Sequence, residues 1–436
     1  MPSPYIPNTD ADRSAMLRTI GVGSIGELFA DIPSRHRTPA LDLPPALSEP
    51  ELRRELSEIA ARNRPAGEMP CFLGAGAYHH FIPSVVNHVI SRGEFATAYT
   101  PYQPEISQGT LQTIFEFQSL ICELTGMDVS NAGMYDGASA SAEACLMASA
   151  ITGRGRLALL STLHPHYQAT VRTYAAGRGL AVDVMEPVDA ALSAEHACLV
   201  LQQPNFFGYL EDAAVLAGKA RAAGALCVVA ADPIALGLFR PPGDYGADIV
   251  VAEGQSLGIP LSFGGPYLGI FAAREKYVRQ MPGRIVGRTA DGEGRTGYVL
   301  TLQTREQHIR RERATSNICS NEQLVALAAT VYLCALGKQG LRRVGELCYH
   351  KAHYAAAAIA ALPGYSLPVG GIFFKEFVVR CPRPPREVNA ALLERGIIGG
   401  LDVSDRIENG MLLCVTEMNS REEIDGLVAA LRGVGS

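Results

Sequence analysis

Asp232 closes the apolar run LCVVAAD, and sixteen residues later Asp248 opens the stretch DIVVAEGQSLGIPLSFGGPYLGIF, which ends at Phe271. The stretch reads as an apolar strand, a turn through small and polar residues, then Pro260 and Gly264-Gly265-Pro266, and a second apolar strand. Such a turn can hold a ligand, and in a parallel α/β sheet ligands gather where strands end. A second candidate is YTPYQPEISQ, Tyr99 to Gln108, where two prolines, two tyrosines, two glutamines and a glutamate make a stiff, polar-lined loop. Its rings can stack on a planar cofactor, and Gln103 and Glu105 can hydrogen-bond a small polar substrate. Tyr99, Thr100, Tyr102, Gln103 and Glu105 are therefore the candidate lining residues, against the plain alternative of a rigid connection. A third is the small-residue run DGASASAEA, Asp136 to Ala144, which opens a helix whose free amides, with Ser139 and Ser141, can receive a phosphate. Close packing of that helix on a sheet accounts for the small residues equally well.

A strand-end aspartate followed by strand, turn and strand resembles the layout of pyridoxal-phosphate (PLP) enzymes of the aminotransferase-like fold. There the aspartate holds the pyridine nitrogen and a lysine in the later turn forms the Schiff base. This chain carries five lysines, Lys219, Lys276, Lys338, Lys351 and Lys375, and none lies in the turn. Aligning the turn on its proline and glycines puts Gln255 at the lysine's place, and an amide nitrogen, its lone pair delocalised, is no nucleophile. Asp232, Gln255, Ser139 and Ser141 would then mark a degenerate cofactor pocket.

Other constellations decline a chemical reading. Gly21-Val22-Gly23-Ser24-Ile25-Gly26 has the spacing of a dinucleotide fingerprint, but a helical pattern precedes it rather than a strand. Gly218-Lys219 and Gly337-Lys338 are followed by Ala220 and Gln339, so neither is a phosphate-binding loop of the Walker type. Cys348, His350 and His353 lack a further ligand at suitable spacing, and no metal site is expected. His79-His80 and His164-Pro165-His166 fall in loops, as polar linings or as solvated turns.

The elements that must position these residues follow from periodicity. Residues 1–70 read as a helical arm, with Asp10 or Asp12 opening one helix and capping boxes at Ser24/Glu27 and Ser48/Glu51. Residues 71–310 alternate apolar strands (RLALLS, AVDVME, ACLVLQQP, LCVVAAD, DIVVAEG, YLGIFAA) with helices (HPHYQATVRTYAAG, LEDAAVLAGKARAAG). That alternation predicts a doubly wound, mostly parallel α/β domain. Gly283 to Gly297, with five glycines, predicts a mobile loop or hairpin. Residues 311–436 read as a linking helix, capped by Ser320 and Gln323, and a smaller α+β domain built from two β-α units, the second capped by Ser420/Glu423.

A chain of 436 residues with a formal charge of −6 has material for a sizeable core and no electrostatic reason to bind nucleic acid or an anionic membrane. Its ten cysteines are scattered singly, mostly in apolar runs, which suits reduced thiols rather than a disulfide framework. The N-terminal MPSPYIPNTDADR lacks a signal pattern, and the apolar run Val325–Leu336 is too short to span a bilayer. A soluble, cytoplasmic protein is expected.

Five segments carry a specific resemblance: AYTPYQPEISQGTLQTIFEFQ, NAGMYDGASASAEA, QQPNFFGYLED, AEGQSLGIPLSFGGPYLGIFA and GYVLTLQTREQHIRRERATSNICSNEQL. Together, and in order over nearly the whole length, they resemble the glycine cleavage system P-protein family (glycine decarboxylase), in its N-terminal half. In many bacteria that half is a separate subunit 1, or alpha. The resemblance implies that the Schiff-base lysine and its PLP belong to subunit 2 (beta), and that no catalytic residue need be sought in this chain. It also implies an α2β2 assembly that decarboxylates glycine and passes the aminomethyl group to the lipoyl group of H-protein. Two alternatives stand beside it: an autonomous PLP enzyme using another lysine, such as Lys276, and a structural or regulatory pseudoenzyme.

Overall fold

The computed structural model describes residues 5–37, 41–314, 316–318 and 321–435. The chain forms two compact units, Met1–Arg64 and Pro65–Ser436. In the first, helix α1 (Asp10–Ile20) is capped by Thr9, with Asp12 three residues on completing a capping box, so neither aspartate opens it. Gly21 ends α1 with φ of 88°, a left-handed conformation that glycine adopts without a Cβ penalty. The Gly21–Gly26 stretch is thus a helix end and turn, in which Ser24 Oγ donates to Glu27. Helix α2 (Glu49–Ala60) has the Ser48/Glu51 capping box. Neither helix has a buried residue.

In the second unit, short helices α3 (Ser84–Ile90) and α4 (Gly93–Ala96) precede α5 (Gln108–Thr125). The large sheet has seven strands: β1 (Val129–Ser130), β2 (Arg156–Leu160), β3 (Ala181–Met185), β4 (His196–Gln203), β5 (Leu226–Ala231), β6 (Ile249–Glu253) and β7 (Gly269–Ala273). Their spatial order is β1-β7-β6-β5-β4-β2-β3. Strands β2 to β6 pair in parallel, while β7 returns antiparallel to β6 and carries β1 on its far edge. The crossovers include α6 (Gly137–Thr152), α7 (Pro165–Ala176) and α8 (Ala213–Ala222). Alternate residues of one strand face opposite sides. Val228 therefore packs with Ala140, Ala144 and Ala148 of α6, and Val229 with Ala217 of α8. The small residues of α6 let it lie close on the sheet, and this fixes the helix start beside the end of β6.

The glycine-rich segment is a hairpin, β8 (Ile285–Ala290) with β9 (Thr296–Thr301). After the four-residue α9 (Gln307–Arg310), α10 spans Gln323–Ala360. Ser320 lies outside the described residues, and Glu322 occupies the N-cap position. By length and composition alone α10 is long and apolar enough to cross a membrane, a test that buried core helices also pass. Gly337, at φ 61° and ψ −179°, breaks it into two helices, the first of which buries Ala326, Ala329 and Tyr332 in the core of the large domain. The small sheet joins β10 (Glu376–Arg380), β12 (Gly410–Cys414) and β11 (Leu401–Asp402) in that order, all antiparallel. Helices α11 (Pro385–Glu394) and α12 (Arg421–Gly435) follow β10 and β12, and Ser420 and Glu423 cap α12 reciprocally. The segment before β10 runs against the loop after β4: Phe374 N–H donates to Gly208 O at 3.0 Å and Leu210 N–H to Ile372 O at 2.8 Å. That pairing brings Lys375, the residue before β10, over the end of β5.

Candidate functional site

Asp232 stands at the carboxyl end of β5. Its Oδ1 accepts Ile234 N–H at 2.9 Å, and its Oδ2 lies 2.8 Å from Lys375 Nζ. Lys375 is 1% exposed. Its ammonium also sits 3.5 Å from the centroid of the Tyr78 ring and 3.2 Å from His80 Nε2. His80 Nδ1 lies 2.7 Å from Glu417 Oε2, so the ring donates from Nδ1 and accepts from Lys375 at Nε2. Burial lowers the His80 pKa and keeps the imidazole neutral, as this arrangement requires. Burial alone would lower Lys375, but Asp232 and its neighbours outweigh it and hold the ammonium charged. Burial likewise opposes ionisation of Glu417, yet the bond from His80 and the Phe81 N–H hold its carboxyl down to about 2.

Gln255 follows β6 in a tight turn and is 2% exposed. Its Oε1 accepts Tyr78 N–H at 2.8 Å, and its Nε2 donates to Tyr78 O at 3.0 Å and Ile259 O at 2.7 Å. The amide thus works as a strap that fixes Tyr78, whose hydroxyl in turn donates to Glu376 at 2.8 Å. Burial pushes the Glu376 carboxyl up to about 7.

The start of α6 is equally committed. Asp136 caps it, accepting Ser139 N–H at 2.7 Å, and Glu253 Oε2 accepts Gly137 N–H at 3.0 Å. Glu253 Oε1 takes the amides of Gln255 and Leu268 as well. Burial pushes the Glu253 carboxyl up to about 7, against those three donors, which favour its anion. Ser139 and Ser141 donate their hydroxyls within the turn, to Asp136 O and Gly137 O. The space left between Asp232, Glu253, Tyr78, His164 and Tyr167 is about 30 Å³.

The other candidate stretch lies outside that cavity. Tyr99 and Ile106 are each 82% exposed, and Thr100, Gln103 and Glu105 lie along the same surface loop. Gln108 pins the loop to β9 through reciprocal bonds with the Tyr298 backbone. Tyr102 is half exposed, but its hydroxyl accepts from Arg284 Nη2 at 2.9 Å, and Arg284 is 2% exposed beside buried Glu306.

Lys276 sits at the opposite end of the sheet, paired with Asp248 before β6 and stacked on Tyr277. Cys348 meets neither His350 nor His353. It joins His80 and Glu417, with ligand atoms within 4.8 Å of one another. Glu417 there is already met by His80, Phe81 and the Cys348 thiol. His353 instead stacks on Phe373, and His164 Nε2 donates to Ala75 O. Sequence reasoning missed Lys375, Glu376, Glu253, Tyr78 and Glu417 as parts of the site. For the first two a signal exists: adjacent charges inside the apolar run GIFFKEFVV, with every residue from Phe373 to Val379 buried.

The sequence pattern of the glycine cleavage system P-protein family matches residues 3–431. A relative from Thermomicrobium roseum, named probable glycine dehydrogenase (decarboxylating) subunit 1, is 58% identical over 98% of this chain and 99% of its own length. A crystal structure of an inhibitor-bound glycine decarboxylase (P-protein) of the glycine cleavage system superposes with a TM-score of 0.94. It is 44% identical, over 99% of this chain and 100% of that one. A C-DES mutant with glycine covalently linked to its PLP cofactor superposes with a TM-score of 0.60 at 14% identity, over 84% of this chain and 97% of that one. That last likeness shows the fold alone, the aminotransferase-like fold of PLP enzymes. With its family pattern matched almost end to end and a relative of the same length this similar, the chain belongs to the glycine cleavage system P-protein family.

Proposed function

We propose that this chain is the subunit of glycine decarboxylase that carries no PLP, and that it acts with a lysine-bearing subunit 2 (beta) in an α2β2 assembly. The two together decarboxylate glycine and pass its aminomethyl group to the lipoyl group of H-protein. One observation carries the assignment: the residues of this chain do not fit PLP. Gln255 offers no nucleophile, Lys375 is already on Asp232, and only about 30 Å³ of free space is left beside them. Bound on the partner, PLP supplies the electron sink for decarboxylation.

This chain contributes fold, interface and wall. Tyr99 and Ile106 on the rigid loop, and Phe263 at the tip of the β6–β7 turn with 93% exposure, are large apolar groups of the kind an assembly covers. Tyr99, Thr100, Tyr102, Gln103 and Glu105 line the partner's glycine site in this reading, with Arg284 holding Tyr102 in place. Residues 1–70 serve as a helical arm, 71–310 as the large domain and 311–436 as the small one. The assembly works in the cytoplasm without nucleic acid or membrane partners. Lys276, committed to Asp248 away from Asp232, gives no support to an autonomous enzyme.

Co-expression with a lysine-bearing subunit 2 tests the assignment. A stable complex is expected, with every borohydride-trapped pyridoxyl group on subunit 2. A stoichiometric pyridoxyl-lysine in this chain would overturn it.

A further inference from the structure

The two ends of PLP carry opposite charge, a protonated ring nitrogen and a phosphate. In this chain both places that would receive them hold a side chain of matching sign. At Asp232 the occupant is the Lys375 ammonium, 2.8 Å away. It is gripped from behind by the Tyr78 ring and His80, and its backbone is tied to the large domain by the Phe374–Gly208 pairing. At the start of α6 the occupant is Glu253, which takes the Gly137 amide while Asp136 takes that of Ser139. An anion at a helix N-terminus satisfies the orphan N–H groups that would otherwise bind a phosphate. Tyr167 closes the remaining gap, since a Cβ at Gly137 would overlap its hydroxyl.

We propose that Lys375 and Glu253 are built-in occupants of the cofactor seat, closing it to PLP and its analogues whatever residue stands at position 255. The proposal rests on the reading of this chain as the subunit without PLP, and adds a second, independent barrier to the missing lysine. Lys375 is held by four groups, Asp232, Tyr78, His80 and the backbone pairing beside it, and is not a flexible arm that an incoming ligand displaces. The same contacts make it a tie between the small sheet and β5. A lysine introduced at position 255 would therefore face an aspartate already neutralised and a helix N-terminus already filled.

Pyridoxamine phosphate is the discriminating probe, because it has the ring and phosphate of PLP and needs no lysine. Equilibrium dialysis of the full wild-type chain is expected to show no stoichiometric binding, and stoichiometric binding would overturn the proposal. Lys375→Ala, checked by circular dichroism for native fold, is expected to bind the probe at least about tenfold more tightly than wild type, some 1.4 kcal/mol. A folded Lys375→Ala that binds no better than wild type would also overturn it. In a third arm, Gln255→Lys and Gln255→Lys/Lys375→Ala are incubated with PLP and reduced with borohydride. The amine introduced at position 255 and the aldehyde would lose water to form an imine, which borohydride reduces to a stable secondary amine. The adduct is expected in the double variant only, and a stoichiometric adduct in Gln255→Lys alone would refute occlusion. These outcomes are separate from a pyridoxyl adduct on the wild-type chain, which would sink the subunit assignment itself.

Discussion

Lys375→Met should strongly destabilise this chain, and the structure sets the size. The substitution leaves Asp232 buried with 12% side-chain exposure and removes the ammonium 2.8 Å away. Breaking a buried ion pair from one side costs about 3 to 5 kcal/mol, and the lost contact over the Tyr78 ring adds to that. Asp232 keeps its bond from Ile234 N–H, which places the expected cost near the lower bound, about 3 kcal/mol. Asp232→Asn/Lys375→Met removes both charges, and should recover at least about 1 kcal/mol relative to the sum of the single variants. The chain has no tryptophan, so urea unfolding is best followed by circular dichroism, with the midpoint as readout. A loss under about 1 kcal/mol for Lys375→Met, or strict additivity in the cycle, would refute the ion pair as the tie between small sheet and β5.

Glu253 and Glu376 both have carboxyls raised from 4.5 to about 7, so between those values the folded chain holds more protons than the unfolded one. Stability therefore falls as pH rises through that window, by up to about 3 kcal/mol for each group. Urea midpoints measured across the window should show the decline, and Glu376→Gln should remove about half of it; a rising slope would contradict the assignment. Glu417, held down to about 2, acts in the opposite direction: its contribution is present above 4.5 and is lost as pH falls towards 2. Glu417→Gln should blunt that acid limb. Tyr102→Phe leaves the buried Arg284 Nη2 without its acceptor and should cost the isolated chain about 1 to 3 kcal/mol, read by urea unfolding. Gln103→Ala alters an exposed side chain, so stability should stay within about 0.5 kcal/mol while turnover of the assembled enzyme drops severalfold. Unchanged turnover would make the loop a connection only.

The large sheet was legible because its strands are buried on both faces and read as unbroken apolar runs, as in LCVVAAD and DIVVAEG. The third strand of the small sheet was not, because the two-residue β11 has no periodicity to detect. Asp232 and Gln255 could be placed because strand ends and turns are local signals. The side chain facing Asp232 comes from Lys375, 143 positions later, and no local pattern reports so distant a partner. Thr9 was passed over as a cap because the two aspartates after it are equally good capping residues, and only the backbone conformation decides among them.

Glycine chemistry should arise only when this chain meets its lysine-bearing partner. The most direct measurement is exchange of the glycine carboxyl carbon with labelled CO2, for this chain alone, for subunit 2 alone and for the two mixed with lipoylated H-protein. No exchange is expected from this chain, and strong exchange from the mixture. Exchange by this chain alone, free of subunit 2, would contradict the division of labour proposed for the two subunits.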